Sequence, residues 1–445
     1  MADILSALSY ALDLTEGQPM GHSVRSCLIA MRVGKTLGLD ERELRDLYFA
    51  SLLKDAGCSN NAVRIQKIFG GDELITKRNV KLIDWTSNLE SLRFAFGNTE
   101  RGGSLRSKLA TMLKAIGPPT QVMDQVTKAR CTRGAQIALE LGFGKPVSEA
   151  IYALDEHWDG KGSPEHRKGE EIPLLARILC LAQTFEVLFQ TFGLGEALSI
   201  TRKRTGSWFD PQVTFALLHL ESDSDFWLEI DDMARTRALG IETPATMEYA
   251  TEADVDQICA AFASIIDAKS TFTGEHSTRV TKYATELGVA LGFDHERLTA
   301  LRRASLLHDI GKLGISNGIL EKPGALDEDE FLQVKRHPYF TQQILQQIQG
   351  FERITDVAAA HHERLDGKGY FQGLDASALD MDMRALAVAD VFDALSAKRP
   401  YRDALPMSKV FEIMEKDAGN ALDPTCVGTL KDIYWGQETE LPRAA

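Results

Sequence analysis

Residues 291–311 read LGFDHERLTALRRASLLHDIG, and residues 37–57 read LGLDERELRDLYFASLLKDAG. The two stretches align at a constant offset of 254. So does the sequence before them, where DLTEGQPMGHSVRS from Asp13 lies against DAKSTFTGEHSTRV from Asp267. In both, an aspartate stands nine residues before a His-Ser-x-Arg element, and His22 to Asp55 spans the same 33 residues as His276 to Asp309. Further on, DEHWDGKGSP (155–164) faces HERLDGKGYF (362–371), and ARILCLAQTFEVL (176–188) faces RALAVADVFDAL (384–395), now at an offset of 207. The first copy therefore carries 254 − 207 = 47 extra residues, placed within about 62–125, where GGDELITKRNV and NTERGGS read as loop-bearing polar additions. Several matches in one order establish an internal duplication.

Both copies read as helical. Over 277–291 the apolar residues Val280, Ala284, Leu287 and Leu291 recur every three to four positions, which predicts one buried helix face. Residues 298–307 behave alike, with Leu298, Leu301, Ala304, Leu306 and Leu307. Pro323-Gly324 and Asp366-Gly367-Lys368-Gly369 mark loops. Strand-like alternation is rare, so the fold class is all-α, as two tandem helical bundles. The expected domains are 1–234 and 253–445, joined by a linker at 235–252 where Gly240, Pro244 and a Thr/Glu run interrupt the pattern. The tail after Trp435 is polar.

Composition narrows the function. With 445 residues, 44% hydrophobic and 26% charged, the chain has the balance of a soluble globular protein with two or three cores. No apolar run approaches 18 residues, and the N-terminus lacks a basic region, which argues against a membrane span or a signal peptide. Six cysteines without a CxxC pair read as reduced, packed thiols, and cytoplasmic localisation is expected. A net charge of −14 argues against extended nucleic acid but leaves room for a small anionic ligand at a locally positive site.

Histidine is scarce, ten in the chain, yet His276, His308, His337, His361 and His362 fall within 87 residues. Imidazole and carboxylate are ligands for Fe, Mn, Zn or Ni in hydrolytic centres. His295, in FDHERL, reads as an ordinary helix histidine. The ordered set GEHSTRV, LLHDIGK, KRHPYF, HHERLDGKGY and VADVFDAL, over about 252–430, resembles the HD-GYP branch of the HD phosphohydrolases, which cleave bacterial cyclic dinucleotides.

That resemblance implies metal ligands at His276, His308, Asp309, His337, His361, His362 and Asp390. Asp309 would bridge two divalent ions, one held by His276, His308 and Asp390 and the other by His337, His361 and His362. Fe or Mn is favoured, with Ni and Zn open. It further implies that Lys312 contacts the scissile phosphate or assists proton transfer, so that His308, Asp309 and Lys312 carry the catalysis. Gly369 and Tyr370 would line the substrate, and Arg399 and Arg402 would bind its phosphates. Asp393 would support the site from behind, holding Lys312.

The chain departs from the family pattern twice. The Gly-Tyr-Pro signature reads Gly369-Tyr370-Phe371, which leaves base selectivity open, and Phe272 stands where some members carry an acid for a third metal. The expected reaction is hydrolysis of cyclic di-GMP to pGpG, with further hydrolysis to GMP left open and 3′,3′-cyclic GMP-AMP as the alternative substrate. A non-catalytic dinucleotide-binding adaptor and a broader nucleotide phosphohydrolase are the rivals. A homodimer or a signalling-protein partner stays open.

In the first copy only His22 and Asp55 keep the family residue. The other five positions hold Lys54, Arg130, Leu154, Asp155 and Gln183. Two of seven ligands cannot hold a dinuclear site. Lys54 and Arg130 would instead place cationic groups against Asp55 and Asp155.

Overall fold

The structure, a computed structural model, is described over residues 1–61, 73–82, 119–231, 250–270, 275–322, 324–398 and 403–435. It is all-α: among these residues only isolated bridges, such as Asp366 to Asp375, stand in for a sheet. The chain divides into two compact units, Met1–Val255 with Ser316–Gly318, and Asp256–Ile315 with Ile319–Ala445. Residues 235–249 of the expected linker, and 62–72 and 83–118 around the expected insertion, lie outside the described residues.

The first unit is built on α1 (Ala2–Thr15), α2 (His22–Thr36), α3 (Glu41–Leu53), α4 (Pro119–Glu140), α5 (Lys145–Tyr152) and α6 (Leu174–Phe192). α2 packs on α3 and α6, and α5 packs on α3, α4 and α6. A capping box starts α3: Asp40 accepts from the Glu43 N–H while the Glu43 carboxylate accepts from the Asp40 N–H. α6 is long and apolar enough to cross a membrane by length and composition, but 72% of that stretch is buried within the protein. Glu186, in its middle, pairs with His22 and Arg25, so α6 is a core helix with a buried polar partner set. The segment GGDELITKRNV, read as a loop-bearing polar addition, contains a helix over Glu73–Val80. Its inward face is polar: Glu73, Thr76 and Lys77 are buried, which a search for apolar periodicity passes over.

The second unit repeats this arrangement. It is built on α7 (Glu252–Asp267), α8 (His276–Ala290), α9 (His295–Leu307), α10 (His337–Leu345), α11 (Glu352–Ala359) and α12 (Met381–Ser396). α8 packs on α9 and α12, and α11 packs on α9, α10 and α12. On α8, Val280, Ala284 and Leu287 are fully buried, while Leu291, past the last turn, is not. Val280 and Leu287 each contribute about 1.5–3 kcal/mol by leaving water, and Ala284 less. On α9 the buried stripe is Leu301, Ala304 and Leu307, with Leu298 and Leu306 at its margins.

The duplication extends to single contacts. Asp13 accepts from the Ser23 N–H and hydroxyl, and Asp267 does the same for Ser277, so each fixes the start of the following helix. The Asp159 N–H donates to the Ser207 carbonyl and the Asp366 N–H to the Asn420 carbonyl, tying both Asp-Gly-Lys-Gly loops to the turn behind them. All six cysteines are buried and free.

Candidate metal centre

Helix ends deliver the candidate ligands of the second unit to one place. His276 opens α8, His308 and Asp309 follow α9, His337 opens α10, His361 and His362 follow α11, and Asp390 projects from α12. The approach is tight. A Cβ on Gly311 would lie 2.0 Å from the His337 carbonyl oxygen, so only glycine lets the 3-10 turn Ile310–Gly314 meet α10. Thr341 closes the junction, donating to the His308 carbonyl (2.8 Å) and accepting from the Gly311 N–H (3.1 Å).

Asp309 sits at the middle, fully buried, with its two oxygens facing different ligand sets. Oδ2 lies 3.5 Å from both His276 Nε2 and His308 Nε2, and Oδ1 lies 3.4 Å from His337 Nε2 and 3.7 Å from His361 Nε2. The side chains fall into two groups whose ligand atoms lie within 4.8 Å of one another: His276, His308 and Asp390, and His337, His361 and His362. The structure thus brings all seven ligand candidates to one place, and a further grouping, His308, Asp309 and His361, spans the two sets.

The tautomers are fixed from behind. Nδ1 of His308, His337 and His361 lies 2.7–2.8 Å from the carbonyl oxygen three residues earlier, on Ser305, Val334 and Ala358. His276 Nδ1 lies 2.7 Å from Asp393. A carbonyl or carboxylate can only accept, so each Nδ1 donates and each Nε2 is left facing the interior of the site. Burial holds His337 and His361 well below the usual imidazole range, and it pushes His362 down to about 3 with help from His337. These rings are neutral. Burial also opposes a charge on His276, but bonds to Asp309, Asp390 and Asp393 outweigh it and hold that ring well above the usual range. Burial works against ionised Asp309 and Asp390 as well. Lys312 and His308 overcome it for Asp309, and His276 does so for Asp390, leaving both well below the ordinary carboxylate range.

A cation fits this donor set. His308 Nε2 and Asp309 Oδ1 are buried with no hydrogen-bond partner, which costs free energy unless something binds them. The centre can therefore hold divalent metal and, with it, hydrolyse a phosphoester.

Two supports differ from expectation. Asp393 does not hold Lys312; it accepts from His276 and, at 2.6 Å, from Arg279 Nε, because α8 and not the 3-10 turn faces that part of α12. Lys312 instead donates to Asp309 Oδ2 at 2.6 Å. In the loop, a Cβ on Gly369 would lie 2.4 Å from Glu363 Cα, which gives this glycine a packing role. Tyr370 is brought to the centre, its ring 4.8 Å from that of His362. Arg399, Arg402 and Phe272 lie outside the described residues. His295 is exposed at the start of α9.

Sequence reasoning missed Arg279, Thr341 and Glu363. Glu363 is buried and accepts from the N–H groups of Gln372, Gly373 and Leu374. The duplication held a signal for two of them: Arg25 pairs with Glu186 as Arg279 does with Asp393, and Glu156 clamps Glu165 and Arg167 as Glu363 clamps its loop.

In the first unit, side-chain cations stand among the acids. Lys54 pairs with Asp55 and Arg130 with Asp155. Lys77 and Lys81 reach Glu16 at 3.1 and 3.3 Å. Glu16, Asp55 and Cys58 have ligand-type spacing, but the two carboxylates already face these ammonium groups.

A family model described as an HD domain matches residues 86–213 and 260–426. The chain is 40% identical to the 3′3′-cGAMP-specific phosphodiesterase 3 of Vibrio cholerae, over 100% of this chain and 97% of that protein. It is 34% identical to the cyclic di-GMP phosphodiesterase response regulator RpfG of Xanthomonas campestris, over 45% of this chain and 53% of the other. A crystal structure of the cyclic GMP-AMP-specific phosphodiesterase V-cGAP3 of V. cholerae matches with a TM-score of 0.68 at 37% identity, covering 99% of this chain and 98% of that one.

Proposed function

The chain belongs to the HD-GYP branch of the HD domain family and is a phosphodiesterase, and we propose that it opens a 3′,5′-phosphodiester bond of 3′,3′-cyclic GMP-AMP to give a linear dinucleotide. The observation that carries this reading is the extent of the likeness. It runs through both repeats to a cyclic GMP-AMP-specific enzyme, while the likeness to RpfG covers less than half of the chain. This reverses the order of substrates that the motifs alone gave, since the ligand motifs do not read the base.

In this proposal His276, His308 and Asp390 would hold one divalent ion and His337, His361 and His362 the other, with Asp309 contributing to both and Fe or Mn preferred. Two such ions supply Lewis acidity and a nucleophile at neutral pH. The protein's own groups do the positioning. Asp393 and the Ser305, Val334 and Ala358 carbonyls keep the imidazoles aimed inward. Lys312, partly exposed beside Asp309, offers positive charge to the scissile phosphate. Glu363 holds the loop that carries Tyr370 against His362.

The test is anaerobic turnover of 3′,3′-cyclic GMP-AMP and cyclic di-GMP with Fe or Mn supplied, beside the double variant His308→Ala, Asp309→Ala. Faster linear product from cyclic GMP-AMP, with none from the variant, is expected. Faster cleavage of cyclic di-GMP would restore the other substrate, and no cleavage by metal-loaded protein would leave an adaptor.

A further inference from the structure

We infer that Tyr339 and Phe371 form a ledge beside the metal centre that seats one purine of the cyclic dinucleotide. The inference rests on the phosphodiesterase reading above and extends it to the part of the substrate that does not react. Tyr339 lies two residues beyond His337 on α10 and is 41% exposed. Its ring meets that of Phe371 edge to face, with centroids 5.7 Å apart and an interplanar angle of 77°. Phe371 follows Tyr370, whose ring lies 4.8 Å from His362. Aromatic residues thus run from His362 through the Tyr370-Phe371 dipeptide to Tyr339.

An exposed tyrosine on a helix needs no ligand to explain it. Two further observations give this one a role. Lys335, one turn before Tyr339, holds its ammonium 5.4 Å from the Tyr370 ring centroid, so the ledge borders a positive charge suited to the substrate's phosphates. And the ledge is missing from the repeat that lacks the ligand set. At the offset of 207, Tyr339 corresponds to Thr132, Tyr370 to Ser163 and Phe371 to Pro164, while Lys335 corresponds to Lys128. The aromatic residues accompany the complete centre. The occupant follows from chemistry: a cyclic dinucleotide with one phosphate at the metals carries flat, electron-rich purines beside it, and aromatic rings bind bases by stacking.

Stacking of this kind reads either purine, so it acts on affinity and leaves the chemical step alone. The experiment is steady-state kinetics of the full-length, metal-loaded protein on 3′,3′-cyclic GMP-AMP and cyclic di-GMP, with Tyr339→Leu, Phe371→Leu and the ring-keeping Tyr339→Phe. Metal content and Tm are measured on each variant to score folding. Both leucine variants are expected to raise KM about tenfold or more for both substrates with kcat within about threefold, while Tyr339→Phe stays within about twofold of wild type. Unchanged KM in both leucine variants, or a fall in kcat alone, would overturn the ledge and leave the phosphodiesterase reading intact. If wild type cleaves neither dinucleotide, the phosphodiesterase reading fails and the ledge falls with it.

Discussion

His337 and His361 meet through their Nε2 atoms at 3.0 Å, while each commits its Nδ1 to a backbone carbonyl. Two neutral rings so arranged point lone pairs at each other inside a buried site, which is repulsive unless a cation lies within reach of both. Metal removal should therefore cost stability as well as activity. Chelation is expected to lower Tm by several degrees, and His361→Ala, which removes one of the two opposed lone pairs, should lessen that dependence. Differential scanning calorimetry with and without chelator measures both. Equal Tm for wild type in the two conditions would contradict it.

Asp393 governs His276 without facing the substrate. It accepts a hydrogen bond from His276 Nδ1 at 2.7 Å and is itself held by Arg279. Asp393→Asn should leave the fold in place and loosen the ring, weakening metal affinity by roughly ten- to a hundredfold. Excess Mn should then restore most of the turnover. Loss of turnover that metal does not restore would assign Asp393 a different role.

The first unit should bind no metal, since its acids already face Lys54, Lys77, Lys81 and Arg130. Wild-type chain is expected to carry about two ions. The full chain with His308→Ala, Asp309→Ala and His361→Ala together should carry none. Elemental analysis after gel filtration decides it, and about two ions retained by the triple variant would contradict this prediction.

The candidate ligands could be singled out in the sequence because each sits inside a short motif, all but Asp390 at a helix end, and two copies of the chain show which motif residues change. What holds them could not. Asp393 is 117 residues from His276, and its choice of Arg279 over Lys312 depends on which helix faces α12. Lys312 was readable as a residue of the site, yet its pairing with Asp309 needed the 3-10 turn after α9. The helix Glu73–Val80 escaped for a related reason: it buries charge against Glu16, and apolar period is blind to that.

That buried pairing sets a pH dependence for the first unit. Burial alone would raise the Glu16 carboxyl, but Lys77 and Lys81 overcome it and bring it from 4.5 down to about 2. A carboxyl depressed on folding stabilises the protein fully above its unfolded value and loses that contribution as pH falls toward the folded one. Wild type should therefore exceed Glu16→Gln in stability most clearly at about pH 6, with the gap narrowing through the window from 4.5 to about 2. Urea unfolding of both proteins at several pH values, followed by tryptophan fluorescence, measures the gap. The substitution also leaves Lys77 without its 3.1 Å partner inside the unit, so the loss near neutrality should be large and Lys77→Met should recover part of it in the double variant. A gap that does not change with pH would mean that Glu16 acts through its shape and hydrogen bonds and not its charge.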